Sequence, residues 1–372
     1  MRSLTHVTIF VFLTLLISSC GALKVKYADW RYSDLKNDQG QADFKDDKYL
    51  FELADRFGLM ALFANVAYRD DLVKKDKQYG NTGVLKHEKI IQDSLEQACI
   101  YLNSGEELPT YGMPSNLPRN ADNSGGNWSR WRGSNNIESE PCYNKKGLYY
   151  ETYIYTQNKK IEEAVIAFRG TENGGSQFWY DWKTNITNFF GFEPQQYKIA
   201  SKNIPILIKA LKSENPNIKI YTTGHSLGGG LAQQAGYQSK DINEVFTFNT
   251  SPVTNWSNLT LDGKVKNRYP IIHRIYNGGE VLGGIRSVST LFTNARYGRH
   301  DIGVQIQPKQ LLAGHSMTLL SCHLSCLIQD SGQPAQHGLS PNYIQTKLMN
   351  DNGICAGYVA LGKCDLASQS EE

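Results

Sequence analysis

The sequence IKIYTTGHSLGGG at residues 218–230 decides the fold that we predict for this chain. An alternating run rich in β-branched residues stops at Gly224, one serine follows, and good helix formers begin at Leu231. This order predicts a strand, a tight turn and a helix, with the pattern Gly-x-Ser-x-Gly at the turn. The two glycines flank Ser226 because a Cβ at either position would keep the strand and the helix apart. The stretch therefore predicts a serine hydroxyl at the end of a sheet, beside the N–H groups that begin a helix.

Strands and helices alternate on both sides of this turn. Residues 148–156 and 163–168 predict a strand pair, and the run at 164–168 is apolar throughout, as expected of a strand buried on both faces. Helices are predicted at 49–68 and 204–212, and further strands at 245–249 and 271–276. Strands separated by helices form βαβ units, so we predict an α/β fold with a mainly parallel central sheet flanked by helices.

The N-terminus has the pattern of an export signal. Arg2 precedes an apolar run at residues 7–17, which is too short to span a membrane comfortably and ends in the sequence SSCG. This ending resembles a bacterial lipobox, in which Cys20 would become the lipidated first residue, and Gly21 resembles outer-membrane sorting. The alternative is ordinary cleavage near Ala22, which would discard the cysteine. We predict an exported protein, anchored as a lipoprotein facing the outer membrane or periplasm, or otherwise secreted.

The predicted domain organisation follows from this reading. Residues 1–20 are the signal, 21–47 a polar tether, 48–330 the catalytic domain and 331–372 a cysteine-containing extension. The chain has 39 basic and 36 acidic side chains, and its net charge of +3 is too small to indicate binding to nucleic acid. The mean hydropathy of −0.45 and the lack of a second long apolar run exclude a protein with several membrane spans. The oligomeric state is left open.

Cysteine usage agrees with export. Beyond Cys20 the chain has six cysteines, which are Cys99, Cys142, Cys322, Cys326, Cys355 and Cys364. An even number in an oxidising compartment predicts three disulfides, with Cys99 paired to Cys142 and the other four paired among themselves. Metal ligation by the CxxxC pattern at 322–326 is the alternative, but thiolates outside the cytosol usually oxidise. We therefore predict neither a metal nor a cofactor.

The predicted Cys99–Cys142 disulfide closes a long segment without regular structure. Residues 103–147 are rich in Gly, Ser, Asn and Pro, which favours a loop. Loops of this length are unusual in a compact domain unless their ends are tied together. We interpret Trp128 and Trp131 within it as packing residues, with a membrane-contacting surface as the alternative.

A serine nucleophile needs a general base and a carboxylate that orients the base. In folds with this turn, the chain order is serine, acid and then histidine. Glu280 follows a predicted strand through the turn NGG, which favours it as the acid, and Asp262 and Asp301 are alternatives. The candidates for the base downstream of the serine are His300, His315, His323 and His337, and His225 and His273 are less suited to this role.

His315 is the favoured base because it lies at the junction between a loop and an apolar run. His225 lies inside the turn, where a support for the turn is the more natural role than general base. His300 lies in a charged cluster, His273 is predicted to be inside a strand, and His323 is flanked by cysteines.

Several of these motifs together resemble one family. The sequence GHSLGG at 224–229, preceded by FRGT at 168–171, resembles the class 3 (fungal-type) lipases of the α/β-hydrolase superfamily. Four further segments are similar to that family's motifs, namely ANVAY at 64–68, DWKTN at 181–185, RIYNGGE at 274–280 and HSM at 315–317. The resemblance covers roughly residues 48–330 and implies an α/β-hydrolase fold.

The resemblance also implies a role for each matching position. Ser226 would be the nucleophile, Glu280 the acid and His315 the base, and the N–H groups of Thr171 and Leu227 would form the oxyanion hole. Two departures from the family stand out. The acid position usually holds aspartate, and NTSPV at 249–253 lacks the usual glycine and arginine around the proline, which leaves the shape of the neighbouring pocket open.

The implied reaction is hydrolysis of lipid carboxylic esters at a membrane or emulsion interface, as in a triacylglycerol lipase or a phospholipase of the A type. The resemblance places a lid over residues 172–190, although the aromatic residues there could equally pack in the core. The export signal favours a phospholipid substrate. The alternatives are a hydrolase of soluble esters, an acyltransferase, and a non-catalytic lipid-binding lipoprotein.

Overall fold

The structure, a computed structural model, describes residues 47–68, 99, 116–119, 127–170, 194–277, 299–304, 315–349 and 354–355. The predicted signal and lid, the tether except for its last residue Asp47, and Cys364 lie outside these residues; Asp47 begins a helix. The helices are α1 (Asp47–Val66), α2 (Gln195–Glu214), α3 (Leu227–Gln238), α4 (Trp256–Leu261) and α5 (Met317–Ser331). The strands are β1 (Asn116–Arg119), β2 (Asn127–Arg130), β3 (Cys142–Lys145), β4 (Leu148–Gln157), β5 (Lys160–Phe168), β6 (Lys219–His225), β7 (Ile242–Phe248), β8 (Ile272–Asn277) and β9 (Arg299–Val304). Short helical turns at Gln336–Gly338, Pro341–Tyr343 and Ile344–Leu348 follow α5.

One mixed sheet organises these elements. Its strand order is β1-β2-β4-β5-β6-β7-β8-β9, with β3 paired to β4. The pairings from β5 to β9 are parallel, whereas those among β1, β2, β3, β4 and β5 are antiparallel. The predicted central sheet is confirmed, but parallel pairing covers only its C-terminal half. Asn158 and Lys159, with φ of 51° and 64°, join β4 to β5 in a two-residue turn, and so short a turn permits only antiparallel pairing.

The segment predicted as one long loop contains three strands. The strands β1, β2 and β3 lie within residues 103–147 and are four residues each. They were missed because so short a strand carries no readable alternation, and NLPR and NWSR have the composition of turns. The Cys99–Cys142 disulfide is confirmed. Trp128 and Trp131 are both buried, which confirms that they pack in the core.

Helix α2 begins well before the predicted position. It runs from Gln195 to Glu214 and contains Pro205, whereas the sequence predicted a helix over 204–212. Proline is favoured in the first turn of a helix, which made the region of Pro205 resemble a helix start. The helix also extends before this proline because four residues there are buried and anchor it to the core, namely Tyr197, Ala200, Ser201 and Ile204.

Two hydrophobic clusters cover the two faces of the sheet. Helices α1 and α5 pack in one cluster with the sheet residues Tyr153, Val165 and Phe248. Helices α2 and α3 pack in the other cluster with Ile166 and Ile220. The fold therefore has helices on both faces of a central sheet, as an α/β fold requires. Residues 335–355 also contribute to the first cluster. Among the described helices, none is sufficiently long and apolar to cross a bilayer.

A second disulfide ties α5 to the chain that follows it. Cys322 is bonded to Cys355, and Cys326 is disulfide-bonded as well. The alternative of metal ligation by Cys322 and Cys326 is therefore wrong, because oxidised sulfurs are not thiolate ligands.

Removing the Cys322–Cys355 disulfide is expected to lower the free energy of unfolding by about 3 to 4 kcal/mol, because the bond closes a long loop in the unfolded chain. The two cysteines are 33 residues apart and almost fully buried. Urea unfolding of the double variant Cys322→Ala/Cys355→Ala, compared with the parent chain, measures the change. Alanine at both positions leaves no lone thiol to exchange with Cys326. An unchanged unfolding midpoint would contradict the expectation.

Candidate active site

Ser226 occupies the predicted turn between strand and helix. It lies between the last residue of β6 and the first residue of α3, with φ of 54° and ψ of −124°. A positive φ is strained for a residue with a side chain, and such strain persists only where the surroundings enforce it. The Ser226 N–H donates to the Phe248 carbonyl at 3.1 Å, and the Ser226 carbonyl accepts from the N–H groups of Gly229 at 3.1 Å and Ser251 at 3.0 Å. Contacts from β7 and α3 therefore hold the serine in this conformation.

The glycines of the motif are required by close packing of backbones. A Cβ on Gly224 would overlap the carbonyl group of Gly228, and a Cβ on Gly228 would overlap the backbone of Phe168 and Arg169. The first turn of α3 thus rests directly on the ends of β6 and β5. This is the reason predicted from the sequence for glycine two residues on either side of the serine.

The end of β5 also approaches the serine. A Cβ built on Gly170 would lie 3.2 Å from the Cβ of Ser226. The next residue, Thr171, is one of the two predicted oxyanion-hole donors and lies outside the described residues. The other, Leu227, is the first residue of α3. The first N–H groups of a helix have no carbonyl partner within it, and the Leu227 N–H is one of these groups.

His315 lies directly before α5. The next residue, Ser316, caps the helix by accepting a hydrogen bond from the Leu319 N–H at 3.3 Å. The start of α5 is also tied to α1, because the Asn65 side chain donates to the Ser321 hydroxyl at 2.8 Å and accepts from the Thr318 hydroxyl at 3.1 Å. A buried amide on α1 therefore sets the position of the helix that carries His315.

His225 joins the elbow to His315. One ring nitrogen, Nδ1, lies 2.6 Å from the Tyr68 hydroxyl, and the other, Nε2, lies 2.7 Å from the carbonyl oxygen of His315. The two imidazole rings are 4.7 Å apart between centroids. The structure thus places His315 beside the residue that precedes Ser226.

The acid candidates differ in their position along the strands. Asn277 ends β8, and its N–H donates to the side-chain oxygen of Asn249 at 2.8 Å. Asn249 follows β7, which bonds Ser226, so the end of β8 lies at the same edge of the sheet as the serine. Glu280 is three residues beyond Asn277 and lies outside the described residues.

The two alternative acids lie elsewhere in the fold. Asp301 is inside β9 and pairs in register with Arg274, about 10 Å before the end of β8. Asp262 ends α4 and forms an exposed ion pair with Lys264 at 2.7 Å. The loop after Asp262 donates hydrogen bonds to the carbonyl of Tyr237, near the C-terminus of α3. Ser226 precedes the N-terminus of the same helix, so about 15 Å of helix separates this loop from the serine.

The remaining histidines occupy structural positions. His300 is inside β9, the strand at one edge of the sheet. His273 is buried in β8 and lies 2.6 Å from the Glu244 carboxylate. His337 lies 2.9 Å from Glu163, at the opposite end of the parallel strands from the serine. Burial lowers the pKa of His323 to about 4, so this ring stays neutral at physiological pH.

The residues that sequence reasoning missed are the ones that hold the site together. Asn65 and Tyr68 were quoted only within a motif, and Asn249 only as a departure from one. Asn65 and Asn249 are fully or almost fully buried. The sequence signal for Asn65 was a polar residue in the otherwise apolar part of α1, because a buried polar side chain is normally hydrogen-bonded and so indicates a specific contact.

Comparison with known proteins supports the same chemistry. A phospholipase-like family model, described as a Tle-like phospholipase domain, matches residues 131–256. The extracellular phospholipase A1 of Serratia liquefaciens is 30% identical over 113 residues, which make up 30% of this chain and 30% of that protein. The alignment thus spans about a third of the length of the curated relative.

These similarities support a lipase or phospholipase family and the hydrolysis of lipid esters. The family match contains the elbow with Ser226 and Leu227 and ends before the positions of Glu280 and His315. The word extracellular in the name of the relative agrees with the predicted export.

Proposed function

We propose that this chain is a serine hydrolase that cleaves the carboxylic esters of glycerophospholipids, with Ser226 as nucleophile, His315 as general base and Glu280 as the orienting acid. The observation that carries the proposal is the strained backbone of Ser226 between β6 and α3, within a segment similar to a phospholipase domain. A strained serine enforced by its surroundings is typical of a catalytic position.

The mechanism follows from the chemistry of these groups. His315 removes the proton from the Ser226 hydroxyl while its oxygen attacks the ester carbonyl, and the N–H groups of Leu227 and Thr171 stabilise the oxyanion. The tetrahedral intermediate collapses as His315 donates the proton to the departing lysophospholipid oxygen. Water then attacks the acyl-enzyme with His315 as base, and the fatty acid leaves as Ser226 regains its proton. Glu280 holds the imidazole in the required tautomer throughout.

For the fold, we propose the α/β-hydrolase type and membership among the class 3 lipases. The parallel strands β5 to β8 in sequential order, the elbow after β6 and helices on both faces support this assignment.

For the substrate, we propose a phospholipid at a membrane surface. The predicted export signal with its lipobox-like end supports it, as do the phospholipase name of the matched family and the phospholipase A1 name of the Serratia protein. A lipid anchor at Cys20 would keep the enzyme beside its substrate, and the aromatic segment at 172–190 is proposed as the lid.

Product analysis on defined lipids tests the proposal. We expect the purified wild-type chain to release fatty acid and lysophospholipid from vesicles of phosphatidylethanolamine and phosphatidylglycerol at least about tenfold faster than it hydrolyses a short-chain ester below its micelle concentration, because a lid opens at an interface. The same rates are measured on triacylglycerol emulsions, and on phospholipid vesicles with an alcohol added as an acyl acceptor. Equal rates on lipid vesicles and on soluble esters would indicate an esterase, and transfer of the acyl group to the alcohol would indicate an acyltransferase. If no product forms and a serine-directed covalent probe does not label Ser226, the chain is a non-catalytic lipoprotein.

A further inference from the structure

The contacts of His225 assign it more than the support of a turn. Its ring is buried and lies between two parts of the fold that are distant in sequence, the end of α1 and the start of α5. The Tyr68 hydroxyl lies 2.6 Å from Nδ1, and the His315 carbonyl oxygen lies 2.7 Å from Nε2. Both ring nitrogens are therefore engaged, each with a partner from a different helix terminus.

The chemistry of the partners fixes the tautomer of His225. A backbone carbonyl can only accept a hydrogen bond, so Nε2 must carry a proton and donate it to His315. In the neutral ring Nδ1 is then an acceptor, and the Tyr68 hydroxyl donates to it. The resulting chain of hydrogen bonds runs in one direction, from Tyr68 through the imidazole to the peptide group that follows His315.

This arrangement excludes His225 from the role of general base. The Nε2 atom already holds its proton, and the lone pair of Nδ1 accepts from Tyr68. The imidazole that precedes Ser226 therefore cannot take the serine proton without breaking one of these bonds.

We propose that His225 is the positioning residue for the general base, acting through the backbone carbonyl of His315. The proposal rests on the proposed function, since it takes His315 as the base. A hydrogen bond to this carbonyl restrains the peptide plane that contains the His315 Cα, and so limits the positions that the His315 side chain can reach. The Asn65 contacts secure α5 on the downstream side of His315, and His225 secures the peptide that joins the base to that helix.

The same ring also couples the base to the nucleophile. His225 and Ser226 are consecutive, so any shift of the elbow is transmitted through the Nε2 contact to His315. The two imidazole rings pack with centroids 4.7 Å apart, which further limits rotation of the His315 ring. A displacement of about 1 Å between reacting groups can reduce a rate about 100-fold, so holding these two residues together has a large effect on turnover.

Two amide substitutions separate the two contacts of the ring. The amide nitrogen of glutamine reaches about as far from the backbone as Nε2 of histidine, so His225→Gln can still donate to His315. The amide of asparagine lies nearer the position of Nδ1, so His225→Asn keeps a partner for Tyr68 and loses the bond to His315. The two variants therefore change the same residue, but His225→Asn removes the bond to the His315 carbonyl and His225→Gln removes the bond from the Tyr68 hydroxyl.

We expect His225→Asn to lower kcat on phospholipid vesicles by about 10- to 100-fold with KM within about twofold, because the base is misplaced and the lipid surface is still recognised. His225→Gln is expected to retain kcat within about fivefold. Tyr68→Phe removes the donor to Nδ1 and is expected to lower kcat by about three- to tenfold. The rate of Ser226 labelling by a fluorescent phosphonate should follow the same order, and circular dichroism with thermal unfolding verifies that each variant is folded.

The outcomes distinguish this inference from the proposed function. An active wild-type chain whose His225→Asn variant keeps its full kcat would overturn the inference and leave the function standing. Equal losses in His225→Asn and His225→Gln would also overturn it, since packing of the ring and not the bond to His315 would then matter. If His225→Asn does not fold, His225→Ala, which lacks both hydrogen bonds, takes its place, and an unchanged kcat in that variant overturns the inference. A wild-type chain that neither hydrolyses lipid nor labels at Ser226 would overturn both.

Discussion

Replacing Ser226 by alanine is expected to lower lipid-ester hydrolysis by at least about 10⁴-fold, because the hydroxyl is the proposed nucleophile that forms the acyl-enzyme. The fold should be retained. Alanine carries a Cβ as serine does, so the backbone at φ of 54° is equally strained in both. Fatty-acid release from phospholipid vesicles measures the loss, and mass spectrometry after phosphonate labelling should locate the adduct on Ser226 in the wild-type chain.

A glycine variant gives this experiment its control. Ser226→Gly also lacks the hydroxyl and should be as inactive as Ser226→Ala, but glycine adopts a positive φ without strain. We therefore expect Ser226→Gly to be about 1 kcal/mol more stable to urea than Ser226→Ala. Ser251→Ala, one strand end away, should retain activity within about tenfold because its contact with Ser226 is through its own backbone N–H. Residual turnover above a tenth of wild type in Ser226→Ala would rule out the serine mechanism.

The parts of the fold that the sequence predicts are those governed by local physics. The elbow at Ser226 follows from two glycines and a change of periodicity within thirteen residues, and the structure has β6 and α3 where these signals lie. Helix α1 is confirmed because its apolar spacing persists over 20 residues. The β4–β5 hairpin is confirmed because its turn lies between two strongly apolar or aromatic runs.

The parts that the sequence does not predict depend on contacts between distant segments. The contact of His225 with the His315 carbonyl spans 90 positions, and that of Asn65 with Ser321 spans 256. No local pattern encodes a pairing of this kind, because each residue is individually compatible with many partners. The short strands form for a related reason. β4 offers backbone groups with which β2 and β3 pair, β1 pairs with β2, and the Cys99–Cys142 disulfide holds the chain nearby.

The carboxyl ends of the parallel strands explain how separate motifs form one site. Phe248 bonds the backbone of Ser226, Asn249 bonds the backbone of Asn277, and the Asn249 N–H donates to Ile275 at 2.8 Å. Asn249 has a φ of 41° and is fully buried, so it acts as a fixed connection between the ends of β7 and β8. The chain that leaves β8 towards Glu280 therefore starts from a position set relative to the nucleophile.

Replacing Glu280 by glutamine is consequently expected to lower kcat by about 10²- to 10⁴-fold, because a neutral amide no longer stabilises the imidazolium of His315 or enforces its tautomer. KM should change little, since the carboxylate does not contact the lipid in this mechanism. The matched variants are Asp262→Asn and Asp301→Asn, which make the same change of charge at the two alternative acids. Both are expected to retain kcat within about threefold.

The position of the three carboxylates is the reason for this ranking. Glu280 lies three residues after a strand end that Asn249 holds at the nucleophile, whereas Asp301 lies inside β9 and Asp262 near the far end of α3. Glu280→Asp tests whether a shorter side chain still reaches His315, because the class 3 lipases that the chain resembles usually have aspartate at this position. A retained kcat would indicate that the turn adapts to a side chain with one methylene less. If Glu280→Gln kept near-normal turnover while Asp301→Asn lost it, the acid would come from β9, and the chain between β8 and β9 would have only a structural role.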